Sequence, residues 1–117
     1  MAISGQYAYL VGPRTLLDRG MGLTVLDISN PTNCVVVGRY ETIEDGEVVK
    51  IQDNYAYVAD RKTGMHIFNV ANPRACTHVG SYRALTRPWG MDVRGRYVYI
   101  GTENAGLQIL EISKEHE

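Results

Sequence analysis

The stretch GLTVLDISNP at residues 22–31 decides the fold, because the chain repeats it twice more. It returns as GMHIFNVANP at residues 64–73 and as GLQILEIS at residues 106–113. The leading glycines are separated by 42 residues on both steps. A fixed period near 40 residues with strand-like content is typical of a propeller blade or of another all-β array.

A full 42-residue repeat is predicted to contain four strands joined by turns, and the third repeat stops after its third strand. In one of them, tyrosines alternate with smaller apolar residues at the period of a β-strand, and a Gly, Asp or Asn just before it supplies the positive φ of a tight hairpin. An Asn-Pro pair after the central strand marks a second turn. Four antiparallel strands in this length form one propeller blade. The tyrosine strands are at 7–10, 55–58 and 97–100, the outer strands at 34–40 and 76–82, and the inner strands at 47–51 and 89–93.

The sequence therefore predicts an all-β chain, a β-propeller segment of about three four-stranded antiparallel blades. Blade 1 covers about 1–45, blade 2 about 46–87, and blade 3 about 88–113, without its outer strand. Since propellers have about four to eight blades, three blades leave apolar sheet faces and strand edges open. Two interpretations follow: a head-to-tail homodimer that closes a six-bladed ring, or a piece of a longer propeller with further repeats.

Composition disfavours nucleic acid and membranes as partners. The chain has 12 Lys+Arg and 13 Asp+Glu, a balance that disfavours duplex nucleic acid or an anionic membrane surface as the partner. No apolar run reaches the roughly 18 residues that a membrane helix needs. The first ten residues, MAISGQYAYL, lack the basic start of a signal peptide and lead directly into a predicted strand.

Cysteines and histidines show no metal-binding pattern, and we predict neither a metal nor another cofactor. Cys34 and Cys76 occupy the same site in neighbouring blades, too far apart for a disulfide, and are interpreted as small apolar fillers, with an intermolecular or oxidised role as the alternative. No Cys-x-x-Cys pair occurs, and the three histidines are scattered. His66 aligns with Thr24 and Gln108 in a polar column, which favours a lone surface histidine.

Several short motifs recur in a fixed order and spacing. LTVLD at 23–27, DISNP at 27–31, YAYVAD at 55–60 and VGSY at 79–82 resemble the LVIVD-repeat family. The resemblance implies a β-propeller of the kind found in exported or surface-attached bacterial and archaeal proteins, and it implies no general catalytic residues. The WD40 family is disfavoured, since no Trp-Asp dipeptide occurs.

The aspartate of this motif varies between the repeats. Asp27 is replaced by Asn69 in the second repeat and by Glu111 in the third. Because the charge changes along this column, we do not expect a shared ionic role for it.

Any ligand site is expected on the rim that carries the loops of variable length, near the central channel. Trp89 stands out because Trp is enriched at binding hot spots, although it begins an inner strand and could instead plug the channel. The charged candidates could equally be ordinary solvated side chains. The candidate ligand-binding residues are Arg14, Asp18, Arg19, Glu44, Asp45, Asp60, Arg61, Arg87 and Trp89.

Three classes of function remain open. The first is a non-catalytic scaffold or a protein- or small-molecule-binding module, with no catalytic residue assigned. The second is a hydrolase-type enzyme that uses the rim carboxylates Glu44, Asp45 and Asp60. The third is a building block of a larger surface assembly, driven by the open ends of the chain.

Overall fold

The computed structural model describes residues 2–11, 23–40, 46–60, 64–82, 88–102 and 106–111. All elements in these ranges are β-strands, and none of the described residues forms a helix that could cross a lipid bilayer. The strands are β1 (Ala2–Ser4), β2 (Tyr7–Val11), β3 (Leu23–Asp27), β4 (Val35–Tyr40), β5 (Gly46–Gln52), β6 (Tyr55–Asp60), β7 (Gly64–Asn69), β8 (Thr77–Tyr82), β9 (Pro88–Arg94), β10 (Tyr97–Thr102) and β11 (Gly106–Glu111).

The strands form three separate antiparallel sheets, one for each predicted blade. Blade 1 has the order β1-β2-β3-β4, blade 2 the order β5-β6-β7-β8, and blade 3 the order β9-β10-β11 within the described residues. Within each sheet, strands that follow one another in the chain are neighbours, which is the usual arrangement for antiparallel strands joined in sequence. The predicted all-β partial propeller is confirmed.

The turn before each tyrosine strand has the predicted backbone. Gly5, Asp53 and Gly95 occupy the same position in the three blades, with φ of 60°, 56° and 59°. This left-handed region is open to glycine and tolerated by aspartate, so the repeated hairpin selects these residue types. The expectation of positive φ at these turns is confirmed.

The outer strands of blades 1 and 2 share an irregularity that the sequence pattern did not predict. In blade 1, Val25 pairs with Gly38 but Leu26 pairs with Val36, which leaves Val37 as an extra residue. The same shift occurs in blade 2 between Ile67 and Phe68. Both outer strands therefore carry a β-bulge at the same place and pair with the central strand in the same register.

The core lies between the blades. We call the side of a blade that is turned to the next blade its forward face, and the other side its backward face. The forward face of blade 1 packs on the backward face of blade 2, and the forward face of blade 2 packs on the backward face of blade 3. The first core contains Tyr9, Leu23, Val25, Val49, Ala56, Val58 and Phe68, and the second contains Tyr57, Ala59, Met65, Met91, Val98 and Ile100. Blade 2 is thus buried on both faces, as stacked blades require.

Candidate functional site

Two of the nine candidate ligand-binding residues lie in strands that the structure describes. Asp60 ends β6, and Trp89 is the second residue of β9, which agrees with its prediction as the start of an inner strand. The other seven lie outside the described residues, so a shared site at this rim stays a prediction. These seven are Arg14, Asp18, Arg19, Glu44, Asp45, Arg61 and Arg87.

Asp60 is a buried residue and not a solvated rim charge. Its exposed fraction is 0%, and its cross-strand neighbours are Gly46 on β5 and Gly64 on β7. It lies on the backward face of blade 2, because it is in phase with Ala56 and Val58 along β6. Because burying a carboxylate is costly, Asp60 is not an ordinary solvated side chain, and its role in ligand binding stays a prediction.

His66 and His78 form a polar pair on the same face of blade 2. The Nδ1 atom of His66 lies 3.0 Å from Nε2 of His78, so one ring donates a hydrogen bond to the other. The two rings are 5.2 Å apart, and the His78 ring also meets the edge of Phe68 at 5.2 Å. Because β7 and β8 are adjacent, the pair joins the central strand to the outer strand.

The prediction of a lone surface histidine at position 66 is wrong. The exposed fraction of His66 is 6%, and His78 contacts it, so these two histidines are not scattered. Burial lowers the pKa of His66, the neighbouring His78 lowers it further, and the charge of Asp60 raises it. The sequence pattern missed the pair because the bulge in β8 brings His78 into phase with Phe68.

The chemistry of this cluster is that of a buried hydrogen-bonded pair. In this contact one ring nitrogen donates and the other accepts, and the tautomers decide which ring is the donor. Among the described residues, no group of three or more His, Cys, Asp or Glu side chains could hold a metal ion.

Polar contacts join blade 1 to blade 2. The backbone N–H of Cys76 donates a hydrogen bond to the Tyr40 hydroxyl at 2.9 Å, and Arg74 donates to the Asp27 carboxylate at 2.8 Å. Asp27 also accepts from the N–H of Ser29, two residues further along the chain. Asn69, at the equivalent position of blade 2, accepts in the same way from the N–H of Ala71. Asp27 and Asn69 therefore share a turn hydrogen bond although only Asp27 carries a charge.

A second polar contact joins blade 2 to blade 3. The side chain of Gln52 donates to the carbonyl of Gly95 at 2.7 Å and accepts from the N–H of Gly95 at 3.0 Å. Both residues lie at the hairpins before the tyrosine strands. The amide side chain thus completes the backbone hydrogen bonds of the neighbouring turn, which fixes one blade relative to the next.

The two cysteines differ in their surroundings. Both thiols are free; Cys34 is exposed and Cys76 is buried. Burial raises the pKa of the Cys76 thiol, whose sulfur lies 3.4 Å from the carbonyl oxygen of Pro73. The prediction of a small apolar filler fits Cys76 and is wrong for Cys34, because no preceding blade in the described residues covers it.

The forward face of blade 3 exposes apolar side chains that are buried at the equivalent positions of blade 1. Leu107 and Ile109 have exposed fractions of 64% and 56%, whereas their blade 1 equivalents, Leu23 and Val25, are both at 0%. The ring of Tyr97 lies 6.5 Å from that of Tyr99 on the same face. At the other end, Ile3 and Val36 are exposed on the backward face of blade 1.

The repeated blades match one protein family. The model of the LVIVD repeat matches residues 1–42, 45–84 and 89–115, one match for each blade. The chain belongs to the LVIVD-repeat family. The resemblance read from the motifs is therefore confirmed, and LVIVD repeats form β-propellers. A search of the curated proteins finds no match to this LVIVD-repeat chain.

Proposed function

We propose that this LVIVD-repeat chain is a non-catalytic propeller scaffold that binds a protein or small-molecule ligand, and that a further LVIVD blade covers each of its open faces. The blade comes from a second copy of the chain or from further repeats. The observation that carries the proposal is the forward face of blade 3, which repeats the composition of two buried faces and is itself exposed.

The packing inside the chain is the template for this proposal. Twice, a forward face with two tyrosines and two apolar residues of the central strand packs on the backward face of the following blade. The forward face of blade 3 offers Tyr97, Tyr99, Leu107 and Ile109 for a third interface of this type. The backward face of blade 1 is the matching half.

The hydrophobic effect favours covering these faces. Fully burying an exposed Leu or Ile contributes about 1.5–3 kcal/mol. Leu107 and Ile109 are 64% and 56% exposed, so covering them would supply the corresponding part of this energy. Soluble monomers rarely expose contiguous apolar surface of this kind. A second copy placed head to tail would supply both missing halves at once, and two copies of three blades would close a six-bladed ring.

Light scattering on a polypeptide of residues 1–117 tests completion by a second copy. We expect a species of twice the chain mass of 13.1 kDa, and dissociation by the Ile109→Arg variant. Val79→Arg is the matched control, since Val79 is also exposed but lies on outer strand β8, away from both end faces. A monomeric wild type would exclude completion by a second copy. If that monomer also bound no hydrophobic dye, the proposal that its end faces are exposed and apolar would be wrong.

Ligand binding is proposed for the rim of variable loops, where the candidate residues are predicted. Trp89 is the only tryptophan of the chain, so its fluorescence gives a direct reporter for binding at this rim. Export to the cell surface remains an expectation from the family resemblance. If the chain instead builds a larger surface assembly, electron microscopy would show polymers.

The hydrolase alternative receives no specific support. A hydrolase needs carboxylates that reach a substrate. Of the three candidate carboxylates, the structure describes Asp60, and this residue is fully buried. Joint replacement of Glu44, Asp45 and Asp60 by their amides is the corresponding test. An activity in a hydrolase screen that disappears in this variant would favour the enzyme over the scaffold.

A further inference from the structure

The open edge of β11 is distinct from the end faces discussed above. We propose that β11 is an acceptor edge for an added fourth strand, supplied by an extended polypeptide segment with the sequence pattern of β4 and β8. This inference goes beyond the proposed scaffold function, because it concerns the backbone edge of blade 3 and not its flat faces.

The backbone of β11 is already arranged to accept a strand. It pairs with β10 over its whole length, from Tyr97 opposite Glu111 to Thr102 opposite Gly106. In the part of the chain that the structure describes, no strand pairs with its other side. An edge of this kind presents alternate N–H and C=O groups, which an extended peptide can satisfy by β-augmentation.

The register of the added strand follows from the other two blades. The outer strand places a glycine opposite the third residue after the repeat glycine at 22 or 64, as Gly38 does for Val25 and Gly80 for Ile67. The equivalent position on β11 is Ile109. The residue two places after the glycine is a tyrosine in both outer strands, and it pairs with the first apolar residue of the central strand.

Steric crowding explains why a glycine occupies position 38 in blade 1. A Cβ at Gly38 would lie 3.0 Å from the hydroxyl oxygen of Tyr40 and 3.1 Å from its ring, so the absent side chain leaves room for the tyrosine. The tyrosine can then reach the following blade, where it accepts the hydrogen bond from Cys76. Open space surrounds Gly80 in blade 2, so the steric reason applies to blade 1, while Gly-x-Tyr itself occurs in both outer strands and identifies a matching strand.

A buried polar atom of blade 3 points to the missing strand independently. Gln108 occupies the column of Thr24 and His66, and its Oε1 is buried with no hydrogen-bond partner among the described residues. In blade 2 the column residue His66 is paired with His78, which the outer strand supplies. A buried acceptor without a partner is costly, so a donor from an added strand would relieve it.

The probe is an acetylated peptide with the sequence of residues 71–82 and Cys76 replaced by Ser, added to the isotope-labelled chain of residues 1–117. We expect alternate backbone amides of 106–111 to exchange more slowly with solvent when the peptide is bound. A peptide of the same composition in scrambled order is the control, and light scattering during the titration separates strand addition from self-association.

A double-mutant cycle tests the register. Replacing the histidine of the peptide that corresponds to His78 by Phe should weaken binding to the wild-type chain about tenfold, the equivalent of about 1.4 kcal/mol. This difference should disappear in the Gln108→Leu chain, because the acceptor is gone. Equal protection by the scrambled peptide, protection of another edge instead of β11, or amides of β11 that are already fully protected in the free chain would overturn the proposal.

Discussion

The Tyr40 hydroxyl accepts a hydrogen bond from the backbone N–H of Cys76 at 2.9 Å, and this contact joins the outer strand of blade 1 to the start of the outer strand of blade 2. The Tyr40 ring also packs against Phe68, with ring centroids 5.7 Å apart. Burial raises the pKa of Tyr40, so its hydroxyl stays neutral at physiological pH. One side chain thus combines apolar packing with a polar link between blades.

Tyr40→Phe should reduce the free energy of unfolding by about 1–3 kcal/mol, because the partly buried N–H of Cys76 would lose its acceptor while the ring packing is retained. Urea denaturation measures the change. Tyr82→Phe is the matched control: Tyr82 is the equivalent residue of blade 2, is exposed, and should change stability by less than about 0.5 kcal/mol. Equal effects of the two substitutions would contradict the role of the hydrogen bond.

Stability should fall as the pH is lowered from 7 to 5. The folded-state pKa of His66 is lowered by burial and by His78, so below about pH 6.5 the unfolded chain binds more protons than the folded chain. The contribution of neutral His66 to stability is fully present above its unfolded-state pKa. It is lost as the pH falls toward its folded-state pKa. Asp60 faces His66 and opposes this shift in part.

Thermal unfolding between pH 5 and 8 measures the dependence on pH. His66→Thr, which copies the residue of blade 1, should flatten the melting temperature across this range. The carboxyl groups of Asp27 and Asp92, whose pKa values are lowered, contribute losses only at lower pH, near or below the usual pKa of Asp. An unchanged slope in His66→Thr would show that other groups control the dependence.

The Asp27 carboxylate has two separable functions. One oxygen accepts the turn hydrogen bond from Ser29, and the other accepts from Arg74 of blade 2. Since Asn69 makes the same turn hydrogen bond in blade 2, Asp27→Asn should retain the turn and lose only the ion pair. We expect a small decrease in melting temperature that vanishes at high salt, because the pair is partly exposed and screened.

Asp27→Ala should be more destabilising than Asp27→Asn at every salt concentration, because it removes the turn acceptor as well. Differential scanning fluorimetry in low and high salt gives both comparisons. Identical melting temperatures for the two variants would mean that the turn hydrogen bond contributes nothing.

The local repeat determined what could be predicted from the sequence. The 42-residue period and the alternation of apolar residues are visible in the sequence. They predict the strand positions, the hairpins and the burial of both faces of blade 2. The contacts of His66 with His78 and of Tyr40 with Cys76 depend on the bulge and on the angle between blades, which no repeat pattern encodes. The sequence predicts Asp60 as a rim residue, either ligand-binding or solvated, because it cannot show that the residue ends a strand and is enclosed between Gly46 and Gly64.

The hairpin at Gly95 has a left-handed backbone that glycine adopts without strain and alanine does not. Its φ is 59°, and its N–H and carbonyl both contact the side chain of Gln52 in blade 2. Gly95→Ala should therefore lower the free energy of unfolding by about 1–2 kcal/mol, the usual cost of this conformation for a residue with a Cβ. Gly90→Ala is the control, since Gly90 has open space around its Cα and an ordinary strand conformation. Chemical denaturation of both variants measures the difference, and a Gly95→Ala protein as stable as Gly90→Ala would refute the backbone requirement at this turn.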